Sequence, residues 1–125
     1  MSDTAMQMYS LAVKRKCRTY SSGLWSPWYV RGLRRDTDML RQLFDALPEP
    51  RIPRVDEAIA RVLDALEQDL LRWPYHKKRI TYLFFALHNL PRAYLPASER
   101  MHITQDDALS YSAQWFDMAD LPLVE

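Results

Sequence analysis

Apolar residues recur at helical spacing through most of the chain. The clearest run lies between two prolines, where Val55, Ile59, Val62, Leu66, Leu70 and Trp73 return every three or four residues. That spacing lines one side of an α-helix and predicts a core-facing helix over about 53–72. Pro53 suits its first turn, where no intrahelical N–H bond is lost, and Pro74 ends it. Glu57 and Arg61 stand four apart on its polar face, a pair worth about a few tenths of a kcal/mol. A shorter stripe of Met39, Leu40, Leu43, Phe44 and Leu47 predicts a helix capped by Asp36 or Thr37 and stopped by Pro48 and Pro50.

Met8, Leu11, Ala12 and Val13 predict a first helix from Ser2 or Thr4 to about Tyr20. Lys14 to Arg18 lie near its C-terminus, where cations complement the helix dipole, and Ser21-Ser22-Gly23 breaks it. Ile80 to Leu90 is apolar almost all round, so that helix is central in its domain or wedged against another protein. Thr104 with Asp107 three residues on predicts a capping box opening a last helix to about Phe116. An extended tail is expected from Asp117 to Glu125.

The stretches between are read as links. Residues 24–35 hold Trp25, Pro27, Trp28 and Tyr29 with little periodicity, which predicts an aromatic connector. Two tryptophans around a proline leave water, either onto their own domain or onto a partner. Pro91 and Pro96 bound an expected extended segment. The fold class is therefore all-α: a small single domain of four to five helices with extended, proline-containing links. Within it, 1–35 is a basic helix plus aromatic connector, 36–96 a helical core, and 97–125 an acidic helix and tail.

Composition narrows the function classes. A chain of 125 residues with 48% hydrophobic and 26% charged residues has enough apolar matter for one core and is not disordered by composition. The two glycines, Gly23 and Gly32, are too few for a glycine-rich phosphate loop. The single cysteine, Cys17, excludes an intramolecular disulfide, fits a reducing compartment and reads as an inert thiol on a helix face.

Net charge is +1, but residues 1–35 carry seven Lys/Arg against Asp3, and residues 97–125 carry Arg100 against six Asp/Glu. Two different surroundings, or two ends that fold together, would produce that polarity. The apolar run Ile80 to Leu87 is about half the length needed to span a membrane. No secretory signal pattern is present, and residues 1–20 read equally as a mitochondrial targeting helix or an ordinary amphipathic one.

Candidate chemistry is sparse. His76, His88 and His102 lie apart without metal-ligand spacing, and His88 reads as a satisfied core histidine. Asp106 and Asp107 are adjacent on a helix and point apart, which favours the helix N-terminus over an acid pair. Lys14-Arg15-Lys16 and Lys77-Lys78-Arg79 are too short, in a near-neutral chain, to predict nucleic-acid binding. The expectation is a non-enzyme with no catalytic residues, no cofactor and no metal.

One stretch points to docking instead. It runs Gly32-Leu33-Arg34-Arg35-Asp36, then Leu47-Pro48-Glu49, then Arg51-Ile52-Pro53-Arg54-Val55-Asp56-Glu57-Ala58, and places charges at what read as joints between helices. Arg54 follows Pro53, against the positive end of the helix dipole, and Arg51 lies between Pro50 and Pro53. An external carboxylate or anion accounts for both, and an internal salt bridge to Asp36 or Glu49 is the alternative. Trp25, Trp28, Arg34, Arg35, Arg51 and Arg54 are therefore the candidate partner-binding residues.

The stretch resembles the small matrix-facing subunit of mitochondrial ubiquinol–cytochrome c reductase (respiratory complex III), the subunit-seven or ubiquinone-binding-protein family. That family carries Gly-Leu-x-x-Asp-Asp, then Leu-Pro-Glu or Leu-Pro-Arg, then Arg-x-x-Arg-(Ile/Leu)-x-x-Ala. The matching residues are Gly32, Leu33, Asp36, Leu47, Pro48, Glu49, Arg51, Arg54, Val55 and Ala58, and Trp25-x-x-Trp28-Tyr29 is similar to the family's aromatic approach. Thr37 stands where the family has its second Asp, the spacers are shorter, and the likeness covers roughly a third of the chain.

The resemblance implies an all-helical, non-catalytic accessory subunit supporting assembly for ubiquinol-to-cytochrome c electron transport. It would lie peripherally on the matrix side of the mitochondrial inner membrane, against cytochrome b and the core subunits. Its arginines would meet acidic loops or anionic lipid headgroups. The alternative is a small soluble bacterial or phage binding or inhibitor protein of the bacterial cytoplasm, acting through protein–protein contacts.

Overall fold

A computed structural model describes residues 4–99 and 104–121. Five helices follow in order: α1 (Thr4–Ser21), α2 (Pro27–Asp45), α3 (Pro53–Asp69), α4 (Lys77–Asn89) and α5 (Gln105–Met118). Two short 3-10 turns, Leu90–Tyr94 and Ala97–Glu99, lie between α4 and α5. No strand occurs among the described residues, and the chain is a small all-α domain.

α4 is the central helix. It packs against α1, α3 and α5, with Ile80, Leu83, Phe84, Ala86 and Leu87 buried, as its nearly continuous apolar sequence requires. α2 packs on α1 and α3 from the other side. Among the described residues neither α1 nor α2 packs directly on α5, although Lys16 of α1 and Ser110 to Trp115 of α5 border one cleft.

α3 has the predicted stripe. Val55, Ile59, Val62, Leu66 and Leu70 are all buried, each worth about 1.5–3 kcal/mol of apolar transfer before entropy is counted. Pro53 opens it in the first turn. The helix stops at Asp69, short of the expected 72, and Arg34 of α2 donates Nε and Nη2 to the Leu70 carbonyl at 2.8 and 2.6 Å, an oxygen that Pro74 has no N–H to reach. A guanidinium there satisfies a terminal carbonyl and complements the negative helix end. Trp73 then lies beyond the helix, 80% exposed, and is not part of the stripe.

The aromatic connector is corrected. α2 starts at Pro27 behind Ser26, whose Oγ accepts the Tyr29 N–H at 3.1 Å. Its buried stripe is Val30, Leu33, Leu40 and Phe44, with the polar Asp36 and Thr37 buried where an apolar residue would stand. Those polar residues interrupt the apolar count and made the helix read as two pieces. Asp36 therefore caps nothing, and a domain boundary at 35/36 would cut through a helix. Asp36 instead accepts Arg15 Nε of α1 at 2.5 Å, with both side chains at most 5% exposed. Thr37 Oγ1 donates back to the Leu33 carbonyl at 2.7 Å, which removes its own need for a partner.

The segment between Pro91 and Pro96 is also corrected. Leu90–Tyr94 winds into a 3-10 turn that buries Leu90, Pro91 and Ala93. Its Tyr94 hydroxyl donates to Asp56 Oδ1 and accepts the Ile52 N–H at 2.7 Å, locking the turn onto the start of α3. α5 opens with the predicted capping box: Thr104 Oγ1 accepts Asp107 N–H at 3.1 Å, and Asp107 Oδ2 accepts Thr104 N–H at 2.8 Å. The helix continues through Asp117 and Met118, which were expected in the tail. Arg79 of α4 donates to the Ala119 carbonyl at its end and to Asp69 of α3, both at 2.8 Å. Residues 122–125 of the expected tail lie outside the described residues.

Candidate functional site

Two loops meet at one end of the bundle. The α1–α2 loop carries Leu24 and Trp25, and the α3–α4 loop carries Trp73 and Tyr75. Trp25 lies against Tyr29 and Tyr75, at ring separations of 5.6 and 6.4 Å, and Trp73 meets the edge of Tyr75 at 5.3 Å. Lys77 Nζ donates to the Gly23 carbonyl at 3.2 Å and ties the two loops together. Between them is a recess of about 500 Å³ whose wall includes Leu24, Trp25, Trp73 and Tyr75. Leu24 is 91% and Trp73 80% exposed, so this is an aromatic shelf left open to solvent.

An arginine groove adjoins it. Arg15, Arg18, Arg31 and Arg35 line a cleft of about 580 Å³ between α1 and α2, together with Trp28 and Tyr29. Ser26 lines both the cleft and the recess, so the two adjoin. Arg31 lies over the Trp28 ring at 4.6 Å, and Trp28 is 75% exposed. Gly32 completes the wall, with Arg15 Nη2 only 3.1 Å from where its Cβ would stand.

The six sequence candidates separate. Trp25 is half-buried on the core, and its buried Nε1 has no hydrogen-bond acceptor among the described residues. Trp28 and Arg35 open onto the groove. Arg34 is committed to the end of α3. Arg51 is turned inward: its Nε donates to Asp56 at 3.0 Å, its Nη1 to the Leu47 carbonyl at 3.3 Å, and its guanidinium lies 5.0 Å from the Phe44 ring. Its internal carboxylate is thus Asp56, not Asp36 or Glu49; Glu49 accepts only its backbone N–H, at 3.0 Å. Arg54 is exposed on the first turn of α3 and makes no ion pair among the described residues.

Sequence reasoning missed Arg15, Arg18, Arg31, Leu24 and Trp73. A signal existed for the arginines, since Lys14 to Arg18 and Arg31 to Arg35 are basic runs in successive segments. Only the length of α2 brings them together, and that was misread.

The other titratable groups make local contacts. His76 Nδ1 accepts the Arg79 N–H at 3.1 Å and caps α4. His88 Nδ1 contacts the Phe85 carbonyl at 2.5 Å, while burial, with the nearby Lys16 and Arg92 cations, lowers its pKa to about 4. His102 lies outside the described residues. Burial and its bond to Asp56 raise the Tyr94 pKa. Cys17 is a free, exposed thiol. Among the described residues no group of three His, Cys, Asp or Glu could hold a metal ion, and no helix is long and apolar enough to cross a membrane.

Comparison with family models, with curated proteins and with solved structures finds no match in any of the three. The likeness to the complex III subunit rests on its short motifs, which the fold divides. Gly32, Leu33 and Asp36 lie inside α2, Leu47 to Arg51 lie in the joint between α2 and α3, and Arg54, Val55 and Ala58 lie inside α3.

Proposed function

We propose that this chain is a non-catalytic docking protein, an accessory part that acts through protein–protein contacts made by the aromatic shelf and the surface around Trp28. The observation that carries this reading is the open shelf itself. Leu24, Trp28 and Trp73 are 91%, 75% and 80% exposed at one end of a domain that buries more than twenty other apolar side chains. Large aromatic side chains left in water beside arginine match the composition of interface hot spots. Both expectations from the sequence, a complex III accessory subunit and a soluble binding protein, share this mode of action.

The complex III reading is the more specific form and is supported by the motif residues alone. In that form the chain lies on the matrix side of the mitochondrial inner membrane and holds cytochrome b and the core subunits in place. The test is a photo-crosslinking residue at position 24 or 73, followed by gentle detergent extraction and native electrophoresis. A crosslink to cytochrome b or a core subunit, in a band containing heme, supports the accessory-subunit form. A crosslink to a soluble protein supports a free-standing binding protein. Crosslinks no more frequent than those from an exposed position away from the shelf, such as 61, would remove the docking reading.

A further inference from the structure

Four guanidinium groups converge on the groove beside the shelf, and no carboxylate lines it. Arg18 comes from α1, Arg31 and Arg35 stand one turn apart on α2, and Arg15 lies beneath them. The one acid in contact is buried Asp36, paired with Arg15 Nε at 2.5 Å and more loosely with Arg35 Nε at 3.4 Å. One carboxylate against four cations leaves the groove strongly positive. Arg18 and Arg31 have no carboxylate partner among the described residues.

Arg15 makes this more than a solvated face. Its side chain is 5% exposed, yet of its five N–H donors only Nε has an acceptor among the described residues. Its Nη2 end lies beside Gly32, and both residues line the groove. A glycine there leaves space over the guanidinium that a side chain would take. The Arg15 Nη donors open on the cleft, where an anionic acceptor fits them.

All four cations are arginines. The planar guanidinium fork donates to both oxygens of a carboxylate at once, and stacking on Trp28 holds the Arg31 fork in place. Because Ser26 borders both cleft and recess, a segment on the shelf has the groove beside it. Resting on the docking reading above, we infer that the partner's docking segment is an acidic peptide. Its apolar side chain lies on Leu24 and Trp73, and adjacent Asp or Glu carboxylates engage Arg18, Arg31 and Arg35, with Arg15 below.

The test uses the full chain and a short fluorescein-labelled peptide with one leucine followed by a run of Glu and Asp. Its counterpart has Gln and Asn instead. Fluorescence anisotropy should show the acidic peptide binding at least about tenfold more tightly than the amide peptide, with affinity falling steeply as salt is added. Arg31→Gln should weaken the acidic peptide about tenfold, while Arg61→Gln, the same charge change on the polar face of α3, leaves it within about twofold. Circular dichroism confirms that both variants fold. Equal binding of the two peptides, or equal effects of the two substitutions, overturns the inference. Arg31-dependent binding of phosphatidylserine vesicles in place of the peptide overturns it too. The docking reading is judged separately, by crosslinking from position 24.

Discussion

Asp36 of α2 and Arg15 of α1 form a buried ion pair, with Nε and Oδ2 2.5 Å apart and both side chains nearly inaccessible to water. It joins two helices that each carry four Lys or Arg residues. Breaking it from one side leaves a guanidinium buried without its counter-charge, in a groove that already repels it. Asp36→Asn is expected to cost about 3–5 kcal/mol, measured by urea denaturation. Replacing both partners with apolar residues, Arg15→Met with Asp36→Leu, should cost less than Asp36→Asn alone. If the single change is harmless, the pair is not what holds α1 to α2.

The joint between α2 and α3 gives a second contrast. Arg51 is bound to Asp56 and shielded by Phe44, while Arg54, three residues on, faces solvent. Arg51→Ala should destabilise the isolated domain by about 1–3 kcal/mol, and Arg54→Ala should stay within about 0.5 kcal/mol. A double-mutant cycle of Arg51→Ala with Asp56→Ala should show that the two effects are not additive. Equal effects of the two arginines on stability would place Arg51 outside the fold's own network.

Leu66 lies in the middle of the α3 stripe and is fully buried. Leu66→Ala removes packing from the face that meets the rest of the bundle, and a cost of about 2–5 kcal/mol in chemical denaturation is expected. An unchanged midpoint would mean that the stripe faces elsewhere.

How far the sequence could be read follows from these residues. The α3 stripe, the apolar α4 and the Thr104–Asp107 capping box are local patterns, and each was legible because spacing alone sets it. Asp36 was misread because a carboxylate near apolar residues looks the same, from sequence, whether it caps a helix or is buried against a cation from another helix. The same holds for Arg34 and Arg51, whose acceptors are the Leu70 carbonyl and Asp56. Arg34 reaches its acceptor only across the fold. The groove was invisible for that reason too: its walls come from two helices, and the part of α2 that lines it, Trp28 to Arg35, reads from sequence as a connector.

His88 sets a pH dependence. Its pKa is lowered from the ordinary 6.5 to about 4 by burial and by the neighbouring Lys16 and Arg92. The unfolded chain then binds a proton that the folded chain refuses, so stability falls as pH drops from about 6.5 toward 4 and is unaffected by this group above that window. Partial solvent access to the ring reduces the size of the effect. His88→Phe should flatten the stability–pH curve between those limits, measured by thermal denaturation in a buffer series. An unchanged slope would assign the dependence to other groups.

The shelf residues should divide by burial. Leu24 and Trp73 are almost fully exposed, so Leu24→Ser with Trp73→Ser removes little packing and should leave the isolated domain within about 0.5 kcal/mol of its original stability. The same pair forms the open face of the recess, so the double variant should lose recovery of its native assembly in detergent extracts. Trp25→Ser is the contrasting change. Trp25 is half-buried between Tyr29 and Tyr75, and its loss should cost about 2–4 kcal/mol because the two loops pack through it. Stability is read from urea denaturation and assembly from native electrophoresis of the same variants. The decisive combination is a Leu24→Ser, Trp73→Ser protein that is folded normally and unassembled. If it is folded normally and still assembles at the original level, the shelf is not the surface through which this protein acts.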